Sequence, residues 1–235
     1  MNFAQLTESD IQYNDMSKLT PTRPILVLLY GYPGAGKTNF ARQLTDYILA
    51  AHVQGDRIRS ELFEKPRFDK QENDIVTHLM RYMTSEFLQA GVSVVYDANA
   101  MRHGERRQLR ELAAKAKAEV ILVWLQIDPE SALARLSMRD RRKSDDKYAV
   151  SYNRQTFKNY LMQMQNPQES ENYIVISGKH TFNTQRSAVT KRMFELGLLR
   201  ADTVSTGVVK PGMINLVPNP AAGRVDMTRR NIAIR

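Results

Sequence analysis

The stretch Gly31-Tyr-Pro-Gly-Ala-Gly36-Lys37-Thr38, set directly behind the apolar run ILVLLY at 25–30, constrains this chain more than any other feature. An apolar run of that length stopped by glycine is the pattern of a strand covered on both faces. Glycine at 31, 34 and 36 lets the backbone wrap so that successive N–H groups point into one concavity, where anionic oxygens bind. A helix predicted from Lys37 to about Ala50, with Phe40, Leu44, Ile48 and Ala51 on one face, adds its positive N-terminal end. Strand, G-x-x-x-x-G-K-[ST] and helix in this order read as a phosphate-binding P-loop. The nucleotide-binding residues are then Gly31, Gly34, Ala35, Gly36, Lys37, Thr38 and Asn39. Lys37 is expected to bridge the β- and γ-phosphates, and Thr38 to offer its hydroxyl to Mg2+. A glycine-rich turn without a ligand is the competing reading of the bare pattern, and the flanking strand and helix argue against it.

The rest of the chain repeats the alternation. Further strands are predicted at Ala51–Gly55, 92–97, 120–127 and 173–177. Between them lie helices over Lys70–Gln89 and Arg106–Ala118, one opened by Asp128-Pro129 and running through Leu136, and one marked by Phe157, Tyr160/Leu161 and Met164. A last helix is expected over Gln185–Leu199. Asp as a cap with Pro at the first helical position is a good start signal. Strands and helices alternating at this spacing imply an α/β fold, a P-loop NTPase with a parallel sheet and right-handed crossovers. Residues 1–24 read as an N-terminal extension, 25–200 as the main domain, and 201–235 as a basic tail broken by Pro211, Pro218 and Pro220. A lid is expected at about 135–150, because DRRKSDDK at 140–147 contains no apolar residue.

Composition narrows the setting. The chain has no cysteine, which excludes a disulfide framework and any thiolate metal site and fits a reducing cytoplasm. Its apolar runs are too short to cross a bilayer, and MNFAQLTESD carries no basic-then-apolar leader pattern. The formal charge of +9 favours anionic partners such as nucleotides, phosphorylated acceptors or nucleic acid, although a basic surface also serves solubility alone.

In open α/β sheets ligands sit beyond the carboxyl ends of the strands, so the residues that follow each strand carry the functional reading. Behind the second strand stand Asp56 and Arg59. A carboxylate there can take the proton of an attacking hydroxyl, and an arginine three residues on shares its helical face and can hold an anionic acceptor. Behind the third strand stand Asp97, a partner for Mg2+ or its water, and Asn99, which can position acceptor or phosphate. Behind the fourth stand Arg135 and Arg139, one helical turn apart, able to close over a triphosphate and neutralise developing charge. Each has a plainer alternative, as a helix cap or a solvated helix end. Their appearance in order at successive strand ends supports the functional one.

Together GYPGAGKT, QGDRIR, VVYDANAMRHGERR and DPESALARLSMR resemble the P-loop kinases related to the 5′-kinase domain of phage polynucleotide kinase. Zeta toxins and chloramphenicol phosphotransferase are more distant relatives. The resemblance spans about Ile25 to Phe182 and implies a five-stranded parallel sheet of the adenylate-kinase type flanked by helices, with a helical lid. It implies ATP with Mg2+ and transfer to a hydroxyl. Lys37, Asp56, Arg59 and Arg139 would be the catalytic residues, with Thr38 and Asp97 on the metal side and Arg59 and Asn99 on the acceptor. No D-x-D phosphatase motif is present, so a 3′-phosphatase activity is not implied. The acceptor is left between nucleic-acid 5′-OH ends and a small hydroxylated metabolite. An acceptor-free nucleotide switch and a toxin-like nucleotide-sugar kinase stand as alternatives, and the oligomeric state is open.

His52, His78, His103 and His180 lack metal-ligand spacing and read as structural or surface residues. Trp124, inside a strand, reads as core. Arg102, Arg106, Arg107 and Arg110 form either a polyanion path or a solvated face.

Overall fold

The computed structural model describes residues 18–139, 147, 148, 150 and 152–199. The 1–24 extension therefore lies mostly outside the described residues, as do 140–146 and 149 of the expected lid segment and the whole 201–235 tail.

Ile25–Tyr30 (β1) is buried at every position, which is possible only with strands on both sides and helices on both faces. Around it the order is β1, Lys37–Ile48 (α1), Ala51–Gln54 (β2), Gly55–Leu62 (α2), Lys70–Gln89 (α3), Val94–Asn99 (β3), His103–Lys115 (α4), Glu119–Gln126 (β4), Pro129–Ser137 (α5), Arg154–Gln163 (α6), Tyr173–Ser177 (β5) and Phe182–Glu195 (α7). The sheet has five strands in the order β2-β3-β1-β4-β5, and every pairing is parallel. The expected five-stranded α/β architecture is the one observed. The strand order reverses at β1, so a crevice opens at its carboxyl end. On one face Leu26, Leu28, Tyr30, Val53 and Tyr96 pack with Val76, Met80 and Leu109 of α3 and α4. No helix among the described residues is long and apolar enough to cross a membrane.

Several boundaries differ from the expected ones. Helix α4 starts at His103 and not at Arg106, because the Glu105 carboxylate accepts the Arg102 N–H at 3.3 Å and so satisfies an open end. It ends before Ala118, where Lys117 turns into left-handed backbone at φ 54°. Helix α7 starts at Phe182 and stops at Glu195 rather than spanning Gln185–Leu199. The break comes at Gly197, φ 67°, where the Leu198 N–H returns to the Met193 carbonyl at 2.8 Å, a glycine helix stop. Strand β3 is displaced two residues towards Asn99, since Val92 is still tied to the turn behind α3 through the Phe87 carbonyl.

The arginine group at the start of α4 divides. Arg107 pairs with Glu111 on the surface. Arg106 is wholly buried and lies over the Tyr30 ring. It donates to both oxygens of Glu171 at 2.8 Å and to the carbonyls of Ala100 and Gln165 at 2.8 and 3.1 Å. Arg110 adds a bond to Glu171 at 2.7 Å. Burial opposes ionisation of Glu171, but the Arg106 guanidinium, the Gln168 N–H and Arg110 outweigh it and hold the carboxyl well below its usual range. Arg106 thus fixes the segment between α6 and β5 onto the sheet. Arg106→Ala should cost about 3 kcal/mol, the range found when one partner of a buried ion pair is removed, and urea denaturation will measure it. A midpoint unchanged from the parent chain would show that this cluster does not hold the segment.

Candidate functional site

At the carboxyl end of β1 two positions leave no room for a side chain. A Cβ on Gly31 (φ 151°) would stand 2.4 Å from the Leu125 carbonyl oxygen, and one on Gly34 (φ 86°) would stand 2.3 Å from that of Ala132. Those contacts press the loop against β4 and α5. Gly36 is the N-cap of α1 in left-handed backbone, φ 95°. Ala35 is buried, and its N–H donates to the Tyr32 carbonyl at 3.0 Å. The loop therefore holds its wrapped shape through packing against the sheet.

Lys37 folds back over this loop, its Nζ donating to the carbonyls of Gly31 at 2.8 Å and Tyr32 at 2.9 Å. Burial lowers its pKa from 10.5 to about 8, with Asp97 and Asp56 pulling upward and Arg139 downward. Thr38 Oγ1 donates to Asp97 Oδ1 at 3.3 Å. A pairing irregularity sets up this approach: Leu28 stands opposite Tyr96 but Leu29 opposite Asn99, so Asp97 and Ala98 bulge from the β1–β3 ladder, a device that re-aims side chains near functional sites. A hydroxyl and a carboxylate, both hard oxygen donors, suit Mg2+. Among the described residues no group of three His, Asp or Glu side chains is placed to hold a metal ion.

Asp56 opens α2 at the carboxyl end of β2. Its side chain is exposed in the cleft, yet protein crowds the space around it. That crowding first, and then the neighbouring Asp97 charge, raise its pKa, against the pull of Arg59, Arg139 and Lys37. Because the carboxyl still meets solvent, we read this as a bias towards proton acceptance and not as a locked neutral acid.

Other expected site residues are engaged within the protein. Arg59 is buried, bonded to Glu72 Oε2 at 3.3 Å and Asn73 Oδ1 at 2.6 Å, with its guanidinium 4.8 Å from the Phe68 ring centre. Asn99 accepts the Gly31 N–H at 3.2 Å and donates to the Tyr160 hydroxyl at 2.9 Å, tying the loop to α6. Arg135 donates to the Gly178 carbonyl at 2.8 Å. Arg139 donates to the Val150 carbonyl at 3.4 Å and lies in the electrostatic field of Lys37 and Asp56. The Asn39 side chain meets Gln43 on the outer surface of α1. The structure thus brings Lys37, Asp56, Asp97, Arg59 and Arg139 into one electrostatic neighbourhood, with Thr38 bonded to Asp97, while Arg59 is also held by Glu72 and Asn73, and Asn99 and Arg135 face partners of their own.

Some neighbours escape sequence reading. His52 Nε2 lies 3.0 Å from Asp97 Oδ2, although the two are distant in the chain. Tyr152 and Tyr160 pack edge to face at 5.8 Å, and both phenols are pushed up by burial, with the Asp56 charge adding to it. Gly178 presses on the loop: a Cβ there would stand 2.5 Å from the Ala35 carbonyl oxygen. None of these belongs to a short motif. A cavity of about 440 Å3 lined by Tyr32, Trp124, Gln126, Asp128, Ser177 and Lys179 opens at the ends of β4 and β5. Neither Lys37, Asp56 nor Asp97 lines it, so it is not the centre of the site.

Lys37 supplies a pH test. Its folded-state pKa of about 8 is below the ordinary 10.5, so the cost of burying an ammonium is present in full below pH 8. That cost fades as pH rises towards 10.5, where the unfolded chain holds the extra proton. Lys37→Met should therefore be more stable than the parent at pH 7 by about 2 kcal/mol, and the gap should narrow by pH 10. Chemical denaturation at the two pH values measures it; a pH-independent gap would overturn the assignment.

Solved structures carry the same fold. Kti12 of Chaetomium thermophilum in complex with ADP-AlF3 is similar over 75% of this chain and 100% of its own, at TM-score 0.58 and 18% identity. The APS kinase of Mycobacterium tuberculosis in complex with AMPPNP and APS is similar over 74% and 99%, at TM-score 0.54 and 16% identity. A gluconokinase from Sinorhizobium meliloti 1021 is similar over 74% and 93%, at TM-score 0.53 and 14% identity. No curated protein matches in sequence. The family model described as an AAA domain matches residues 26–167, more than half of the chain, and the chain belongs to that family.

Proposed function

We propose that this chain is an ATP-dependent phosphotransferase that moves the γ-phosphate to a hydroxyl acceptor, with Asp56 as general base. The observation that carries the reading is the convergence of Asp56 on Lys37 and Asp97 beyond the strand ends, within one electrostatic neighbourhood. Phosphoryl transfer needs mainly positioning and charge compensation. The loop amides and the N-terminus of α1 would grip the phosphates, and Lys37 would leave the Gly31 and Tyr32 carbonyls to meet them. Thr38 and Asp97 would hold Mg2+, which when bound supplies charge neutralisation at the phosphates. Asp56, its basicity raised by its surroundings, would take the acceptor proton as the new O–P bond forms and ADP departs. Arg139 and Arg135 would compensate charge from the lid side.

For the acceptor we propose a nucleic-acid 5′-OH end or a small hydroxylated metabolite. The basic balance of the chain and the tyrosines near Asp56 support the former. The kinases of similar fold, for a sugar acid in one case and APS in another by their names, support the latter. A cysteine-free chain using ATP fits the reducing cytoplasm. One observation favours a second reading, a nucleotide-driven switch without an acceptor: Arg59 is occupied by Glu72, Asn73 and Phe68 rather than left open to a ligand.

The deciding experiment offers γ-labelled ATP with a panel of 5′-OH oligonucleotides, nucleosides, sugars and aminoglycosides. Label should pass to one acceptor class, and Asp56→Asn should reduce transfer by at least about 100-fold while nucleotide affinity stays near that of the parent. Transfer by Asp56→Asn at the parental rate would remove Asp56 from the mechanism. Hydrolysis insensitive to every acceptor would favour the switch.

A further inference from the structure

We propose that His52 is a positioning residue for the metal side of the site: by bracing Asp97 it sets the affinity of the nucleotide complex for the divalent ion. This rests on the reading of Asp97 given above.

The argument starts from β2, an edge strand paired in parallel with β3, in which Val53 faces Tyr96 and Gln54 faces Asp97. Side chains alternate along a strand. Val53 and Tyr96 join the core under α3 and α4, so His52 and Asp97 project to the other face, where Thr38 stands in the first turn of α1. There His52 Nε2 reaches Asp97 Oδ2 at 3.0 Å, while Thr38 Oγ1 holds Oδ1 at 3.3 Å. An ionised carboxylate only accepts, so Nε2 carries the proton in this bond. The Asp97 side chain is 3% exposed and that of His52 23%: a shielded carboxylate held by a partly exposed donor at its rim.

A carboxylate gripped at one oxygen only can rotate about its Cβ–Cγ bond; gripped at both, it has one orientation left. Asp97 lies in the bulged part of β3, without a partner on β1, and its pairing with Gln54 of β2 fixes the backbone but not the turn of the carboxylate. Groups that orient a carboxylate beside a metal commonly change metal affinity by 10- to 100-fold when removed. His52 stands in that relation to Asp97, and it leaves Thr38, Lys37 and the loop amides untouched. A His52 that merely satisfies a polar strand end would alter stability and leave metal affinity alone.

The test uses the full chain saturated with a non-hydrolysable ATP analogue and titrated with Mn2+ under electron paramagnetic resonance, Mn2+ standing in for Mg2+. His52→Ala should raise the half-saturating Mn2+ concentration about tenfold, with analogue affinity in EDTA unchanged within about twofold. His52→Gln, which retains a terminal N–H donor, should bring the Mn2+ curve most of the way back. If His52→Ala does not fold, His52→Phe, a ring without a donor, takes its place. A curve for His52→Ala that superimposes on the parental one overturns the proposal, as does a His52→Gln variant as weak as His52→Ala. Asp97→Ala separates the two readings. If it weakens Mn2+ binding and His52→Ala does not, only the His52 proposal fails; if it has no effect, the metal role of Asp97 fails and the His52 role with it.

Discussion

The burial of β1 on all sides governs the rest of this molecule. Its six residues lie between two parallel neighbours and beneath helices on both faces, so the chain can leave the sheet only at its end. It must then turn in a space already bounded by the backbone of β4 and α5. Glycine at 31 and 34 is what that space admits. The concavity of backbone amides follows from packing, and the candidate site inherits its rigidity from the core.

Charge in the cleft is arranged around that rigid point. Lys37 reaches back across the loop, and burial makes its proton easy to lose, although two carbonyls and two nearby carboxylates favour keeping it. The Asp97 charge adds to the cost of ionising Asp56, and Arg59, Arg139 and Lys37 relieve it. A triphosphate entering with its metal would bring charge of both signs into a cluster already balanced in that way. Such mutual adjustment is common where acid–base chemistry is carried out.

Much of this was legible in the chain because it is written locally. The loop has a fixed spacing, β1 and β5 are continuous apolar runs found where expected, and α3 spans the expected Lys70–Gln89. The start of α4 and the end of α7 were harder to read. They depend on a Glu105 cap and one glycine, and the apolar periodicity used to find helices says little about either. In the site, residues at or just beyond strand ends could be named from order alone: Asp56, Asp97, Asn99. What those residues touch could not. Arg59 turns to Glu72 and Asn73 because α3 packs beside α2, a tertiary fact. His52 meets Asp97 because β2 and β3 lie side by side, and no motif records that adjacency. Arg106, one of four arginines in a basic run, is wholly buried because Glu171, far along the chain, comes to meet it.

The bond from the Gly31 amide to Asn99 has a consequence for how fast a ligand can be captured. That amide already has an acceptor before any anion arrives, and the same side chain is anchored to α6 through Tyr160. The loop mouth is thereby held in register by a strut that no ligand has to displace, leaving only the later amides of the loop for incoming oxygens. A receptor whose opening is set during folding does not wait for a rare shape before docking. Its association rate would then be limited by diffusion and by the return of the Lys37 arm, not by assembly of the cradle.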